Sequence, residues 1–273
     1  MTTKIEMLIK NYAYLIRKAE TVVRMKLAEF NRKEGKERDS KEARDTKITY
    51  KELFEAAEIF EEDPEVRSDD WILARKFVDW KNLHNLSTED VKLRIIGFLN
   101  SWHCRLPVSD KLAERIKEVY KKSIPFLNAL ESETLEDINL EEKKNIDGNE
   151  YTNQEIMHKV FTTFCATGHN FRGVAASKVL SLINPNLFVI WDTSIADAYG
   201  LRGASTPYVR DEQYVSEFIP KMKEIANCVL SSYTRDKKCS RKEAIEAIDG
   251  FRELRPLAKL LDEYNWMKYY REI

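Results

Sequence analysis

Glycine and proline are scarce in this chain, and their scarcity limits the folds open to it more than any other feature. The 273 residues include 8 glycines and 7 prolines, and no long segment alternates β-branched with polar residues. Both observations favour helices joined by short turns. The sequence therefore predicts an all-α fold.

The composition indicates a globular protein. Apolar residues make up 43% and charged residues 33% of the chain, which is too apolar for a disordered protein and too charged for a membrane protein. The longest apolar runs are far shorter than the roughly 20 residues of a membrane-spanning helix, and the amino terminus does not resemble a secretory signal. We expect a cytoplasmic protein with no membrane partner, associated with the nucleoid if the cell is prokaryotic.

The chain is predicted to divide near residue 46. Residues 1–46 read as an amphipathic N-terminal helix followed by a connection with almost no apolar residues. Residues 47–273 are predicted to form a helical domain with two lobes. Its predicted helices cover about 50–62, 69–80, 87–101, 109–120, 174–183 and 255–270.

Residues 161–200 differ most from an ordinary helical sequence. They predict a helix that ends near Gly168, a tight turn, a second helix over about 174–183, and an apolar link to Asp192. Asp192 would be the N-cap of a third helix, because an aspartate side chain accepts hydrogen bonds from the first turn.

The start of the second helix is a natural position for a phosphate group. Its first backbone N–H groups have no partner within the helix, and they attract anions. We predict that the backbone of Gly173, Val174 and Ala175 and the side chains of His169 and Arg172 bind DNA phosphate. A role in stabilising the turn is the alternative for His169 and Arg172.

This order of residues resembles the helix-hairpin-helix DNA glycosylases, especially the branch that looks like 8-oxoguanine glycosylases. In that family a hairpin leads into a helix that bears a lysine nucleophile, and an aspartate begins the next helix. Gly173 here matches the hairpin, Lys178 the nucleophile and Asp192 the aspartate. Ala175 stands where a second glycine is usual, and Lys178 follows Gly173 by five residues, one more than in the family pattern.

The resemblance implies an enzyme that removes an oxidised or otherwise modified base after flipping it out of double-stranded DNA. Lys178, without its proton in a desolvated pocket, would attack the sugar C1′ and form a Schiff base, which allows a lyase step. Asp192 would stabilise the positive charge on the sugar or take the proton from the amine.

Three alternatives stay open for these two residues. The enzyme can be monofunctional, with water and Asp192 performing the hydrolysis in place of the lysine. Asp192 can be an N-cap and nothing more, and Lys178 can be a surface lysine or the partner of a carboxylate.

Aromatic residues provide candidates for a base pocket. Trp102 and His103 lie at a predicted helix end, and Trp191 lies just before Asp192; such side chains can stack on an extruded base. Packing in the core is the competing interpretation of Trp102. The histidines and cysteines lack metal-ligand spacing, and glycine-rich nucleotide-binding loops are absent, so we expect no metal, no nucleotide and no other cofactor.

Two other functions compete with the glycosylase. One is a non-catalytic helical DNA-binding protein that uses the hairpin as a phosphate clamp. The weaker one is a helical scaffold for a protein partner. The formal net charge of −1 favours neither of the DNA-dependent functions strongly.

Overall fold

Helices form nearly all of the regular structure of this protein, so the predicted all-α fold is confirmed. The computed structural model describes residues 47–63, 68–168, 171–201, 210–252 and 255–270. The predicted N-terminal helix and its charged connection, at 1–46, lie outside the described residues. The two lobes and the helix-hairpin-helix motif stay predictions. No helix in the described ranges is both long enough and apolar enough to cross a membrane.

Ten helices are numbered here in chain order over the described ranges. They are α1 (Tyr50–Glu62), α2 (Ser68–Phe77), α3 (Thr88–Asp90, Val91–Ile96 and Gly97–Ser101 in succession), α4 (Asp110–Ala129), α5 (Asn153–Cys165), α6 (Gly173–Ile183), α7 (Thr193–Ala198), α8 (Arg210–Gln213, Tyr214–Phe218 and Ile219–Lys237 in succession), α9 (Arg241–Asp249) and α10 (Leu257–Asn265 followed by Trp266–Tyr270). The middle segments of α3 and α8 and the last segment of α10 are π-helical. A 3₁₀ helix, Trp80–Asn85, follows α2.

Local capping residues fix where several helices begin. Thr49 forms a capping box with Glu52 at α1, since each residue's side chain accepts a hydrogen bond from the other's backbone N–H. Ser109 caps α4 by accepting from the N–H of Leu112. The predicted range of α1 is therefore correct, whereas α4 continues nine residues beyond its predicted end at Tyr120.

A small β-hairpin is the exception to the helical fold among the described residues. Strand β1, Lys143–Ile146, pairs with the antiparallel strand β2, Asn149–Thr152. Asp147 and Gly148 form the turn with φ of 50° and 83°, the conformation that an Asp-Gly pair favours in tight hairpins. The second strand runs directly into α5.

Helix α10 lies in the interior and organises the surrounding helices. Every residue of Leu257–Asn265 is buried. This helix packs against α1, α8 and α9, and the π-helical segment that follows it packs against α7. The C-terminal helix predicted over about 255–270 is therefore part of the core.

Candidate functional site

Ser177 ties α6 to the buried link that leads to α7. Its hydroxyl oxygen accepts a hydrogen bond from the backbone N–H of Trp191 at 3.3 Å. Lys178 follows Ser177 in the chain, and Asp192 follows Trp191. This single contact therefore places the two predicted catalytic residues on neighbouring segments, and their charges interact.

Lys178 is a buried lysine, with 8% of its surface exposed. Its Nζ donates a hydrogen bond to the backbone oxygen of Trp102 at 2.7 Å and lies 3.8 Å from the Sγ of Cys104. The same nitrogen is 5.4 Å from the centroid of the Trp102 ring, within the range of a cation–π contact. The interpretation of Lys178 as a surface lysine is wrong, because its ammonium group points into the protein.

The loop that receives Lys178 has an unusual backbone. His103 and Arg105 have φ of 61° and 52°, in the left-handed region that side chains with a Cβ seldom adopt. Asn100 holds this loop: its Nδ2 donates to the Leu106 carbonyl at 2.9 Å, and its Oδ1 accepts from the Leu106 N–H at 2.6 Å. The fold thus maintains a strained loop beside Lys178, and such strain is concentrated at functional sites.

Asp192 is the N-cap of α7, as predicted. Its Oδ1 accepts a hydrogen bond from the N–H of Ile195 at 2.8 Å. Burial raises the pKa of the Asp192 carboxyl; the Ile195 hydrogen bond and the charge of Lys178 act in the opposite direction, and the charge of Asp262 raises it further. A carboxylate with a raised pKa accepts a proton more readily than an ordinary surface aspartate.

Helix α10 contributes a second group of charges that the sequence analysis did not assign to the site. Lys259, Asp262 and Glu263 are at most 4% exposed. The Nζ of Lys259 is 2.5 Å from the Oδ2 of Asp262 and 3.4 Å from the Oε1 of Glu263. It is also 5.4 Å from the centroid of the Trp102 ring. The ammonium groups of Lys178 and Lys259 therefore both face Trp102.

A sequence signal for these charges existed but was weak. Lys259 and Glu263 have the i, i+4 spacing of a helical ion pair, and that spacing is common on exposed helix faces. Only the packing of α10 shows that this face is buried. Burial raises the pKa values of Asp262 and Glu263, and the neighbouring ammonium of Lys259 lowers both.

The turn before α6 is partly described. Gly168 has a φ of 98°, which favours glycine, and its carbonyl accepts a hydrogen bond from the N–H of the buried Phe171 at 3.1 Å. His169 lies outside the described residues. Arg172 is exposed at the N-cap position of α6, and its side chain makes no capping hydrogen bond there.

The first turn of α6 begins with backbone N–H groups that have no partner within the helix, as predicted. The first hydrogen bond into the helix is donated by the Ala176 N–H to the Arg172 carbonyl at 2.9 Å. The N–H groups of Gly173, Val174 and Ala175 precede it, and so they have no partner within the helix. The side chain of Ala175 is buried, whereas Val174 is partly exposed.

The three base-pocket candidates have different surroundings. Trp102 is partly exposed beside Lys178, and His103 is exposed in the strained loop. Trp191 is 1% exposed, and its ring lies 5.2 Å from the ring of Tyr214 and 5.5 Å from that of Phe218. The expectation that Trp191 lines the pocket does not fit this placement, because the apolar link buries its ring among aromatic side chains.

The site therefore combines α6, the start of α7, the loop after α3 and the buried face of α10. In the ranges that the structure describes, no group of three or more histidine, cysteine, aspartate or glutamate residues could hold a metal ion. Comparisons with protein-family models, curated proteins and solved structures found no match to this chain.

Proposed function

We propose that this protein is a DNA glycosylase that removes an oxidised or otherwise modified base from double-stranded DNA. The observation that carries the proposal is the buried Lys178 beside Asp192, whose pKa is raised. A lysine nucleophile needs a neighbouring group that can accept its proton. The Ser177–Trp191 hydrogen bond places the two residues on neighbouring segments, and the charge of Lys178 acts on the Asp192 carboxyl, which supports this combination.

The proposed reaction proceeds in two steps. Asp192 takes a proton from the ammonium of Lys178, and the free amine forms a bond to the sugar C1′. The bond between C1′ and the base breaks, and the base leaves with the electron pair and takes up the proton that Asp192 received. The C1′–O4′ bond of the sugar then breaks, O4′ takes up a proton from the attached nitrogen, and a protonated Schiff base forms between Lys178 and C1′; addition of water to C1′ releases the sugar and returns the lysine.

The start of α6 supports binding of the DNA backbone. Three successive N–H groups, those of Gly173, Val174 and Ala175, lie at the positive end of the helix dipole, which attracts phosphate. Backbone contacts of this kind do not depend on base sequence. They suit an enzyme that must find a rare modified base among many normal ones.

Trp102 supports a place for the extruded base. Its ring is partly exposed and adjoins Lys178. Stacking of a base on an aromatic ring stabilises the extruded state by about 1–3 kcal/mol, which offsets part of the cost of removing the base from the duplex.

The test is a base-release assay on labelled duplexes that contain 8-oxoguanine, uracil or an alkylated base, with borohydride present to reduce any Schiff base. The variants are Lys178→Gln and Asp192→Asn. Lys143→Gln is the matched control, because the side chain of Lys143 is 63% exposed on the hairpin. We expect a covalent adduct for the wild-type protein and the control variant, and none for the two site variants.

Other outcomes select among the alternatives. Base release without an adduct, retained in Lys178→Gln and lost in Asp192→Asn, indicates a monofunctional enzyme that uses water. DNA binding without base release from any of the duplexes contradicts the enzyme and favours a passive DNA-binding protein with the same phosphate-binding helix start. Absence of both activities contradicts any role on DNA.

A further inference from the structure

A cleft of about 510 Å³ opens at the C-terminal end of α6, whose opposite end carries the proposed phosphate-binding turn. The walls of the cleft come from the end of α2, the 3₁₀ helix, the second half of α4, residues 183–186 and the connection from α9 to α10. Its volume falls within the range of about 300–1,000 Å³ that small-molecule sites occupy. The cleft is therefore large enough for a ligand, and it is separate from Lys178 and Asp192, neither of which lines it.

Arg255, which lines the cleft, is a buried arginine with an unused hydrogen-bond donor. It is 3% exposed, and its Nε lies 3.6 Å from the Oε1 of Glu263, which is too long for a hydrogen bond. Its Nη1 is also buried, and this atom has no hydrogen-bond partner among the described residues. Glu263 thus balances the charge of Arg255 without accepting a hydrogen bond from it. Buried polar groups in folded proteins are nearly always hydrogen-bonded, so Arg255 needs a further acceptor.

Arg75 places a second guanidinium group at the cleft. It is partly exposed, and its Nη1 donates a hydrogen bond to the backbone oxygen of Leu182 near the end of α6. Burial lowers the pKa of Arg75, and no carboxylate in the described ranges forms an ion pair with it. A guanidinium group has five N–H donors and binds carboxylates through two parallel hydrogen bonds. The two arginines together therefore favour a ligand with a carboxylate group.

The inner wall of the cleft is largely apolar. Trp80, Tyr120 and Leu127 are at most 7% exposed, and Ile183 and Pro256 are partly exposed. In small-molecule sites such side chains bury the body of an organic ligand, and a few polar groups fix its orientation. An inorganic ion would leave this wall in contact with water, so the wall favours a ligand with an apolar part.

Asp249 provides a negative charge at the edge of the cleft. It is the exposed last residue of α9, and its Oδ1 accepts a hydrogen bond from the Leu257 N–H at 2.9 Å. No basic side chain in the described ranges forms an ion pair with Asp249, whereas Lys81 and Glu131, which also line the cleft, pair with each other. An unpaired carboxylate attracts a cationic group. Asp249 therefore favours a ligand with an ammonium group.

We propose that this cleft binds a free amino acid with an apolar side chain. The carboxylate of the ligand binds to the guanidinium groups of Arg75 and Arg255, its ammonium group faces Asp249, and its side chain packs on the apolar wall. Phosphate is repelled by Asp249 and has no apolar part. Binding of the amino acid requires no DNA, so the test of this site is independent of the proposed glycosylase activity.

Isothermal titration calorimetry of the full chain tests the proposal with matched compounds. L-phenylalanine carries both charged groups, 3-phenylpropionate lacks the amine, and 2-phenylethylamine lacks the carboxylate. L-leucine provides a smaller apolar side chain. We expect L-phenylalanine to bind the wild-type protein more tightly than either analogue, and inorganic phosphate not to displace it.

Two substitutions address the two ends of the ligand. Arg75→Gln should weaken the binding of L-phenylalanine and 3-phenylpropionate about tenfold, as for loss of a charge-assisted hydrogen bond, and leave 2-phenylethylamine unaffected. Asp249→Asn keeps the acceptor for the Leu257 N–H. It should weaken L-phenylalanine and 2-phenylethylamine about two- to fivefold, because an exposed ion pair contributes less. Arg115→Gln, on an exposed face of α4, is the control and should bind like the wild type.

Arg255→Lys tests the buried arginine. It keeps a positive charge beside Glu263 and removes the guanidinium group, so it should weaken the two compounds that carry a carboxylate about tenfold. If circular dichroism shows that this variant does not fold, Arg75→Gln still tests the carboxylate end of the site.

A second measurement locates the ligand. The indole N–H signal of Trp80, assigned by its loss in Trp80→Phe, should shift in the NMR spectrum when L-phenylalanine is added, because Trp80 lines the cleft. The indole signal of Trp191 should not shift, since Trp191 lies in the buried link before α7.

Three results would overturn the proposal. The first is that neither L-phenylalanine nor L-leucine binds. The second is equal binding by the wild type, Arg75→Gln and Asp249→Asn, because the amino acid then binds elsewhere. The third is tighter binding of 3-phenylpropionate or inorganic phosphate than of L-phenylalanine, which contradicts the contact between the ammonium group and Asp249.

Discussion

Asp192 has two roles in this account, and a pair of substitutions separates them. Asparagine caps a helix about as well as aspartate, whereas alanine cannot accept the hydrogen bond from Ile195. Asp192→Asn and Asp192→Ala both remove the charge. The difference in free energy of unfolding between the two variants therefore measures the capping hydrogen bond alone. The difference between either variant and the wild type also includes the effect of the lost charge.

The contribution of the cap to the free energy of unfolding follows from its hydrogen bond. The Asp192–Ile195 hydrogen bond is 2.8 Å long, and loss of such a cap costs about 1 kcal/mol, within a range of roughly 0.5–2. We expect Asp192→Ala to be less stable than Asp192→Asn by that amount, which corresponds to a melting temperature about 2–4 °C lower.

The effect of the Asp192 charge on the stability of the protein depends on pH. Burial raises the pKa of Asp192 in the folded protein, so the folded state binds its proton more tightly than the unfolded state. Protonation of Asp192 therefore stabilises the folded state at low pH, and this contribution is lost as the pH rises through the folded-state pKa. Asp192→Asn does not titrate, and its stability relative to the wild type should therefore increase as the pH rises from the ordinary aspartate pKa of about 3.9 through the raised pKa of the folded protein.

Urea denaturation followed by circular dichroism at several pH values measures these differences, and borohydride trapping measures activity in the same samples. Both variants should fail to trap DNA, although only the alanine variant loses the cap. The reasoning is refuted if Asp192→Asn is as unstable as Asp192→Ala, or if the asparagine variant forms the adduct at the wild-type rate.

Two other predictions concern the surroundings of the site. Trp191→Ala should lower the free energy of unfolding by about 3–5 kcal/mol, because the Trp191 ring is buried. Trp191→Phe should keep the wild-type preference among modified bases in the base-release assay. A changed preference would indicate that Trp191 lines the base pocket after all. Asn100→Ala should cost about 1–3 kcal/mol by removing both hydrogen bonds to Leu106. It should also reduce the trapping rate, because the Trp102 carbonyl that holds Lys178 loses its support; an unchanged rate would show that this loop does not position the lysine.

Local signals in the sequence were sufficient to predict the range of α1 and the N-cap at Asp192, although they placed the end of α4 nine residues too early. The range of α1 and the N-cap at Asp192 both depend on residues within four positions of each other. Capping interactions of this kind are formed by neighbours in the chain and need no knowledge of the fold. The Asp147-Gly148 turn is also a local signal, but its flanking strands are polar and lack the alternation of apolar residues that predicts a hairpin.

The surroundings of each side chain in the folded protein could not be predicted from local signals. Trp191 and Trp102 have similar chemistry, yet one is enclosed by aromatic rings and the other adjoins Lys178. The buried charges of α10 come from a segment about 80 residues after Lys178. Contacts over such separations arise from helix packing, on which local periodicity carries no information.

The most direct test of the account identifies the lysine that bonds to DNA. The borohydride-reduced adduct of the wild-type protein is digested, and the modified peptide is sequenced by mass spectrometry. We predict that the sugar is attached to Lys178. Attachment to Lys259, whose Nζ is equally close to the Trp102 ring, or to any other lysine would contradict it.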